Sequence, residues 1–263
     1  MMSVTSHGQS HKGLVRQLNE DACLLLPEYG VWVVADGMGG HAAGDVASQL
    51  VISTIRDEVV KTEQVKPETI CSALEQANQK VVEYCQQHNQ GELGGSTVVV
   101  LLFYHQQYHV FWLGDSRLYL LRNNELRQVT RDHSQVNELI DQGLIAAEEA
   151  ETHELANVIT RAVGVQGQVS VAALSGAIEA GDLFLLCTDG LNKELSDDEI
   201  QSYLHHHDIE AANRALIHMS LVAGARDNVT CVLVKVNSLH ATFITNHYIS
   251  PECNKTVPIS LKK

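Results

Sequence analysis

Aspartates close one apolar run after another in this chain. Val31-Trp-Val-Val-Ala35 is followed at once by Asp36-Gly37, and Leu183-Phe-Leu-Leu-Cys-Thr188 by Asp189-Gly190. Phe111-Trp-Leu-Gly114 leads into Asp115, Asp227-Asn228 stands directly before Val229 to Val236, and Asn19-Glu20-Asp21 precedes a further apolar stretch. One Asp-Gly alone is ordinarily a turn. Several carboxylates gathered at strand ends repel one another unless they share a cation. Oxygen ligands without a paired Cys/His set favour Mg²⁺ or Mn²⁺ over Zn²⁺, and a glycine after the aspartate lets a backbone carbonyl approach an ion with no Cβ in the way. Two such ions roughly 3.5–4 Å apart clamp a phosphoryl group and lower the pKa of a bound water from about 15.7 to about 7. Arg16, five residues before Asp21, supplies a planar guanidinium that matches phosphate oxygens. The chemistry this spacing implies is metal-dependent hydrolysis of a phosphoester.

The elements that must position these residues follow from periodicity. Strand-like runs rich in β-branched and aromatic residues cover Val31–Ala35, Ser96–Tyr104, Tyr108–Leu113, Arg117–Leu121, Leu183–Cys187 and Val229–Val236. Two helical stripes lie between the first two runs: Ala43, Val46, Ala47, Leu50, Val51, Ile55 and Val59, then Ile70, Ala73, Leu74, Ala77, Val81 and Cys85. Ser196-Asp-Asp-Glu199 is a capping-box pattern opening a helix near Ile200, a further helix covers Ile209–Val222, and Arg122-Asn-Asn-Glu125 reads as a hairpin turn. Helices arrive in blocks between groups of strands, which predicts an α+β fold with antiparallel sheet. Residues 142–157 are polar and acidic and read as an exposed flap or short helix.

Composition bounds the rest. The chain has 263 residues, 44% hydrophobic and 19% charged, with Lys+Arg 18 against Asp+Glu 32 and a net charge of −14. That balance repels phosphate backbones and anionic lipid, so neither nucleic acid nor membrane is an expected partner. No apolar run approaches the roughly 18 residues of a membrane span. The six cysteines form no C-x-x-C pair and read as buried free thiols in a reducing cytoplasm. No G-x-S-x-G nucleophile elbow occurs, and Asp36-Gly-Met-Gly-Gly40 lacks the Lys-Ser/Thr of a nucleotide P-loop.

Eight blocks then form a resemblance: Gly13-Leu-Val-Arg16-Gln-Leu-Asn19-Glu20-Asp21, Val34-Ala-Asp36-Gly37-Met38-Gly39-Gly40-His41, Gly95-Ser96-Thr97, Gly114-Asp115-Ser116-Arg117, Thr130-Arg-Asp-His133-Ser134, Ile159-Thr-Arg-Ala-Val-Gly164, Cys187-Thr-Asp189-Gly190 and Asp227-Asn228-Val-Thr230. In this order they resemble the metal-dependent serine/threonine phosphatases of type 2C (PPM), in the bacterial form. The resemblance implies a four-layer α-β-β-α sandwich with two antiparallel sheets and a metal site at one end of the cleft. It implies a catalytic domain over residues 1–236, with the flap at about 142–157, and 237–263 as a flexible tail.

By the same resemblance Asp36 bridges two Mn²⁺ or Mg²⁺ ions, the Gly37 carbonyl joins one, and Asp189 and Asp227 hold the other. Glu20 and Asp21 act mainly through metal-bound water, Arg16 grips the substrate phosphate, and Asp115 with Asp189 takes a third, weaker ion. Asn228 adjoins the last ligand as a supporting residue. Met38 stands where eukaryotic relatives have a histidine, so His41 is offered as an acid or substrate contact. Where many members have an aspartate before the first motif glycine, this chain has His11.

The implied substrate is a phosphoserine or phosphothreonine protein, a Ser/Thr kinase or its target, met by a cytoplasmic monomer. Some bacterial relatives serve secretion systems, including type VI. Asp36, Asp189 and Asp227 are all present, which favours turnover over the alternative, a pseudophosphatase that only binds phosphoprotein.

Overall fold

Alternation along the strands assigns every layer of the molecule. In the strand β3 (Val31–Gly39), Val31, Val33 and Ala35 join one core while Trp32 and Val34 join another; successive side chains of a strand point to opposite faces. The computed structural model describes residues 2–39, 43–88, 94–165, 167 and 169–239. Its strands, with β1 at Ser3–His11, β2 at Asp21–Leu26, β4 at Gly94–Ser96, β5 at Val98–Tyr104, β6 at Gln107–Leu113, β7 at Arg117–Arg122, β8 at Glu125–Gln128, β9 at Ala172–Ala177, β10 at Leu183–Cys187 and β11 at Val229–Ser238, form two antiparallel sheets. One has the order β1-β11-β10-β7-β8, the other β2-β3-β5-β6-β9 with β4 paired to the far end of β3.

The cores are stacked. Helices α1 (Ala43–Val60) and α2 (Pro67–His88) lay Ala47, Val51, Ile55, Leu74 and Val81 on the outer face of the second sheet. Between the sheets lie Trp32, Val99 and Leu101 from one side and Leu118, Phe184, Leu186 and Val232 from the other, with Phe103 set edge-on to both Trp32 and Phe184. Beyond the first sheet, the short α4 (Asp189–Asn192), α5 (Asp197–His206) and α6 (Ile209–Ala223) cover Leu183, Leu185 and Leu233 with Leu191, Ile200, Leu204 and Leu216. The four-layer α-β-β-α sandwich is therefore the fold. Each fully buried aliphatic side chain contributes roughly 1.5–3 kcal/mol.

Local signals behave as their chemistry dictates. Ser196 accepts from the Glu199 amide and the Glu199 carboxylate accepts from the Ser196 amide, closing the predicted box. Asp208 caps α6 through the Ala211 amide. Asn123 and Asn124 hold φ of 53° and 66° in the β7–β8 hairpin, the left-handed pair that asparagine tolerates.

Several expectations shift. The run Ser96–Tyr104 breaks at Thr97, leaving β4 against the end of β3 and β5 against its start. β11 continues to Ser238, two residues past the expected boundary at 236, and Asn237 donates to the Thr5 hydroxyl; residues 240–263 lie outside the described residues. The flap segment follows α3 (Gln135–Asp141) and holds a 3-10 turn at Ala147–Thr152. Cys71, Cys85, Cys187 and Cys231 are free thiols, whereas Cys23, expected free, is disulfide-bonded. Among the described residues no helix is long and apolar enough to cross a membrane.

Candidate metal centre

The register of β2 against β3 places Asp21 directly opposite Asp36. From the other sheet, Thr188 and Thr230 donate their hydroxyls to one oxygen of Asp21, at 2.8 and 2.7 Å. Asp21 thus ties the two sheets together at one end of the sandwich. Asp189 opens α4 immediately after β10, and Asp227 stands just before β11. Asp115 lies in the turn after β6, where Gly114 has φ 100° and both donates to and accepts from His133. The kink at Thr97 serves Asp36: the Thr97 amide donates to the Asp36 carbonyl at 2.8 Å, and the Thr97 hydroxyl accepts from the Asp36 amide.

Burial, then the hydroxyl bonds that partly offset it, then the neighbouring carboxylates set the Asp21 pKa, pushed up to about 8 with Asp189 and Asp227 adding to it. Asp115 is pushed up to about 7 by burial and Asp189, with Lys193 opposing. Asp36 is held well above its ordinary value by burial and by Asp21, Asp189, Asp115 and Asp227 together. One oxygen each of Asp21 and Asp189 is buried without a hydrogen-bond partner. Orphaned acceptors among mutually repelling carboxylates are the environment a hard divalent cation satisfies, so the donor set fits Mn²⁺ or Mg²⁺. Among the described residues no three Asp, Glu, His or Cys side chains converge tightly enough to hold an ion by themselves. An ion here takes few carboxylates, completed by backbone carbonyl and water, as these metals readily do.

Two cations already face the acids. Arg16 pairs with Asp227 at 2.8 Å, its side chain 50% exposed, and Lys193 contacts the second oxygen of Asp189. The loop bearing Arg16 is pinned from several sides. Asn228 donates to the carbonyls of Lys12 and Leu18 and accepts from the Glu20 amide, Leu14 donates to the Ala225 carbonyl, and His11 Nδ1 accepts from the Gly13 amide. Gly13 has φ 75°, and a Cβ there would lie 2.1 Å from the Asp227 carbonyl oxygen.

The structure brings Arg16, Glu20, Asp21, Asp36, Gly37, Asp115, Asp189, Asp227 and Asn228 to one end of the two sheets. Gly37 needs its missing side chain for packing: a Cβ would sit 2.0 Å from the Gly44 carbonyl oxygen at the start of α1. His41 lies outside the described residues. Sequence reasoning gave no role to Thr97, Thr188, Thr230 or Lys193. The signal available was adjacency, since each threonine falls inside a motif carrying an aspartate or glycine, and Lys193 follows Asp189 by one helical turn.

A family model described as protein phosphatase 2C matches residues 7–227. The serine/threonine phosphatase stp of Listeria welshimeri is 33% identical over 238 residues, spanning 87% of this chain and 94% of the relative. A solved structure described as PppA, a key regulatory component of T6SS in Pseudomonas aeruginosa, superposes with a TM-score of 0.78 at 41% identity, covering 89% of this chain and 98% of that one. A structure of the catalytic domain of the serine/threonine protein phosphatase PstP in complex with two manganese ions has a TM-score of 0.81 at 33% identity, covering 90% of this chain and all of that chain.

Proposed function

Since this chain belongs to the protein phosphatase 2C family and is a metal-dependent protein serine/threonine phosphatase, we propose that its acidic cluster and Arg16 carry that hydrolysis in the following division of labour. Asp36, the Gly37 carbonyl, Asp189 and Asp227 would hold the ions; Asp21, its carboxylate fixed by Thr188 and Thr230, and Glu20, its amide held by Asn228, would orient water beside them. When bound, paired Mn²⁺ or Mg²⁺ ions supply a hydroxide near neutral pH and neutralise charge on phosphoryl oxygens. Arg16 turns from Asp227 to the substrate phosphate, a move open to a half-exposed side chain on a pinned loop. A covalent cysteinyl route has no support among the described thiols: burial pushes Cys231 up to about 12 and Cys187 well above its ordinary value.

The gathering of Asp21, Asp115, Asp189 and Asp227 around the buried Asp36 at one end of the sheets, with two orphaned oxygens, is the observation that carries this reading. The test is phosphate release from a phosphothreonine peptide with Mn²⁺, with Mg²⁺ and with chelator. Release should require the metal and fall by several orders of magnitude in Asp36→Asn. Near-normal turnover in that variant would overturn the ligand assignment.

The physiological substrate we read as a Ser/Thr kinase or its target, met by a cytoplasmic monomer. Loss of phosphothreonine from an autophosphorylated bacterial kinase domain is the expected result; an unchanged kinase beside a rapidly hydrolysed peptide would count against that substrate. The likeness to PppA over nearly all of that chain favours a second, narrower reading, reversal of kinase-driven type VI secretion assembly. Unaltered secretion after deletion of the gene would remove it.

A further inference from the structure

Exposed aliphatic side chains crowd the loop that carries Arg16. Ten large apolar residues are exposed among the described residues, and three of them, Leu14, Val15 and Leu18, fall within five positions, at 57%, 62% and 53% exposure. Single apolar residues scattered over a surface are ordinary, whereas a group of them marks a contact surface. The loop is held by its main chain: Leu14 donates its amide to the Ala225 carbonyl, and Asn228 donates to the carbonyls of Lys12 and Leu18. None of these bonds uses the three aliphatic side chains, which stay in water while the backbone beneath them is fixed.

Position decides what covers them. Arg16 lies between Val15 and Leu18, and Leu14, Val15 and Leu18 all start within two residues of it, where consecutive Cα atoms are about 3.8 Å apart. A phosphorylated residue that reaches Arg16 draws its own chain neighbours over the same loop. A small phosphoester would leave the aliphatics wet; a polypeptide covers them. Charge sorts those neighbours further. Asp227 and Glu20 stand beside the loop, and the chain carries a net charge of −14, so acidic flanking residues are repelled. Aliphatic ones lose contact with water and gain from burial.

We propose that Leu14, Val15 and Leu18 form a docking surface that selects phosphoproteins with aliphatic residues beside the phosphorylated serine or threonine; the inference rests on Arg16 as the phosphate contact. The test compares kcat/KM for two phosphothreonine peptides of equal net charge, with Leu or with Ser at the two positions on either side. Wild type with Mn²⁺ should favour the Leu peptide about tenfold, a comparison that needs no variant to fold. In the combined variant Leu14→Ser, Val15→Thr, Leu18→Ser the ratio should fall to about one. p-Nitrophenyl phosphate, which has no flanking residues, should lose far less, because Arg16 and the main-chain bonds remain. Equal rates on both peptides for wild type, or a ratio kept by the combined variant, would overturn the proposal. So would an equal loss on all three substrates, the mark of a displaced Arg16. Hydrolysis of neither peptide with any metal would sink the metal-centre reading, and an unchanged KM in Arg16→Ala the phosphate contact. Either takes the docking surface with it, and each is distinct from hydrolysis without preference.

Discussion

In the proposed site, Arg16 contacts the substrate phosphate and Asn228 supports the loop that carries it. Arg16→Ala removes the clamp, and the expected result is a KM raised about tenfold or more with a smaller change in kcat; an unchanged KM would count against the contact. Asn228 is buried and spends its side-chain amide on two carbonyls and an amide of the loop. Asn228→Ala leaves those groups unpaired, at roughly 1–3 kcal/mol for each that stays buried. It should lower the melting temperature and raise KM together, and a raised KM at unchanged stability would point to direct substrate contact. The acidic residues proposed as ligands were legible because aspartates at strand ends are visible in one dimension. Thr188 and Thr230 were not, because their hydroxyls reach Asp21 across 167 and 209 residues. Lys193 was not either, since an Asp–Lys pair four apart reads as a solvated helix pair.

At the scale of elements, β3 and α1 meet too closely for any side chain between them. Gly37→Ala would set a methyl 2.0 Å from the Gly44 carbonyl oxygen, and α1 must then withdraw. The expected outcome is a melting temperature several degrees lower and weakened Mn²⁺ binding, since any part of the clash that α1 does not absorb shifts Gly37, whose carbonyl is a proposed ligand. A variant with wild-type melting and metal affinity would show that α1 yields freely. Glycine after aspartate was read from sequence as room for an ion; the structure adds packing as the stricter demand. The core strands were legible from their apolar runs, and so was the cap of α5; the Asp208 cap of α6 was not. Strand β1 was not, because Ser3–His11 is polar along its length and half-buried at a sheet edge, so neither an apolar run nor strict alternation marks it.

For the whole molecule, the acidic end makes stability depend on pH in a sense opposite to that of paired carboxylates. The native pKa values of Asp21 and Asp115, about 8 and about 7, exceed the ordinary 3.8. Without metal the native state therefore holds more protons than the unfolded chain between about pH 4 and pH 8, and stability falls as pH rises through that window. The metal-free protein should melt higher at pH 5.5 than at pH 8, and Mn²⁺ should raise the melting temperature most at pH 8, where it binds carboxylates otherwise costly to ionise. A metal-free melt that climbs with pH across the window would contradict the cluster. The α+β class and antiparallel sheets followed from the grouping of runs. The four layers followed only from resemblance, since alternation shows that a strand has two faces but not what covers each.

The pairing of β1 with β11 joins Ser3 to Ser238 and His11 to Val229. β1 thus waits for β11 to be made, and the loop between β1 and β2 meets Asp227 only after the strands between them have been made. Contacts so distant in sequence form late and slowly. A nascent chain halted before residue 227 carries Arg16 and Asp36 but lacks both Asp227 and β11, so hydrolysis should appear only once that strand has been made.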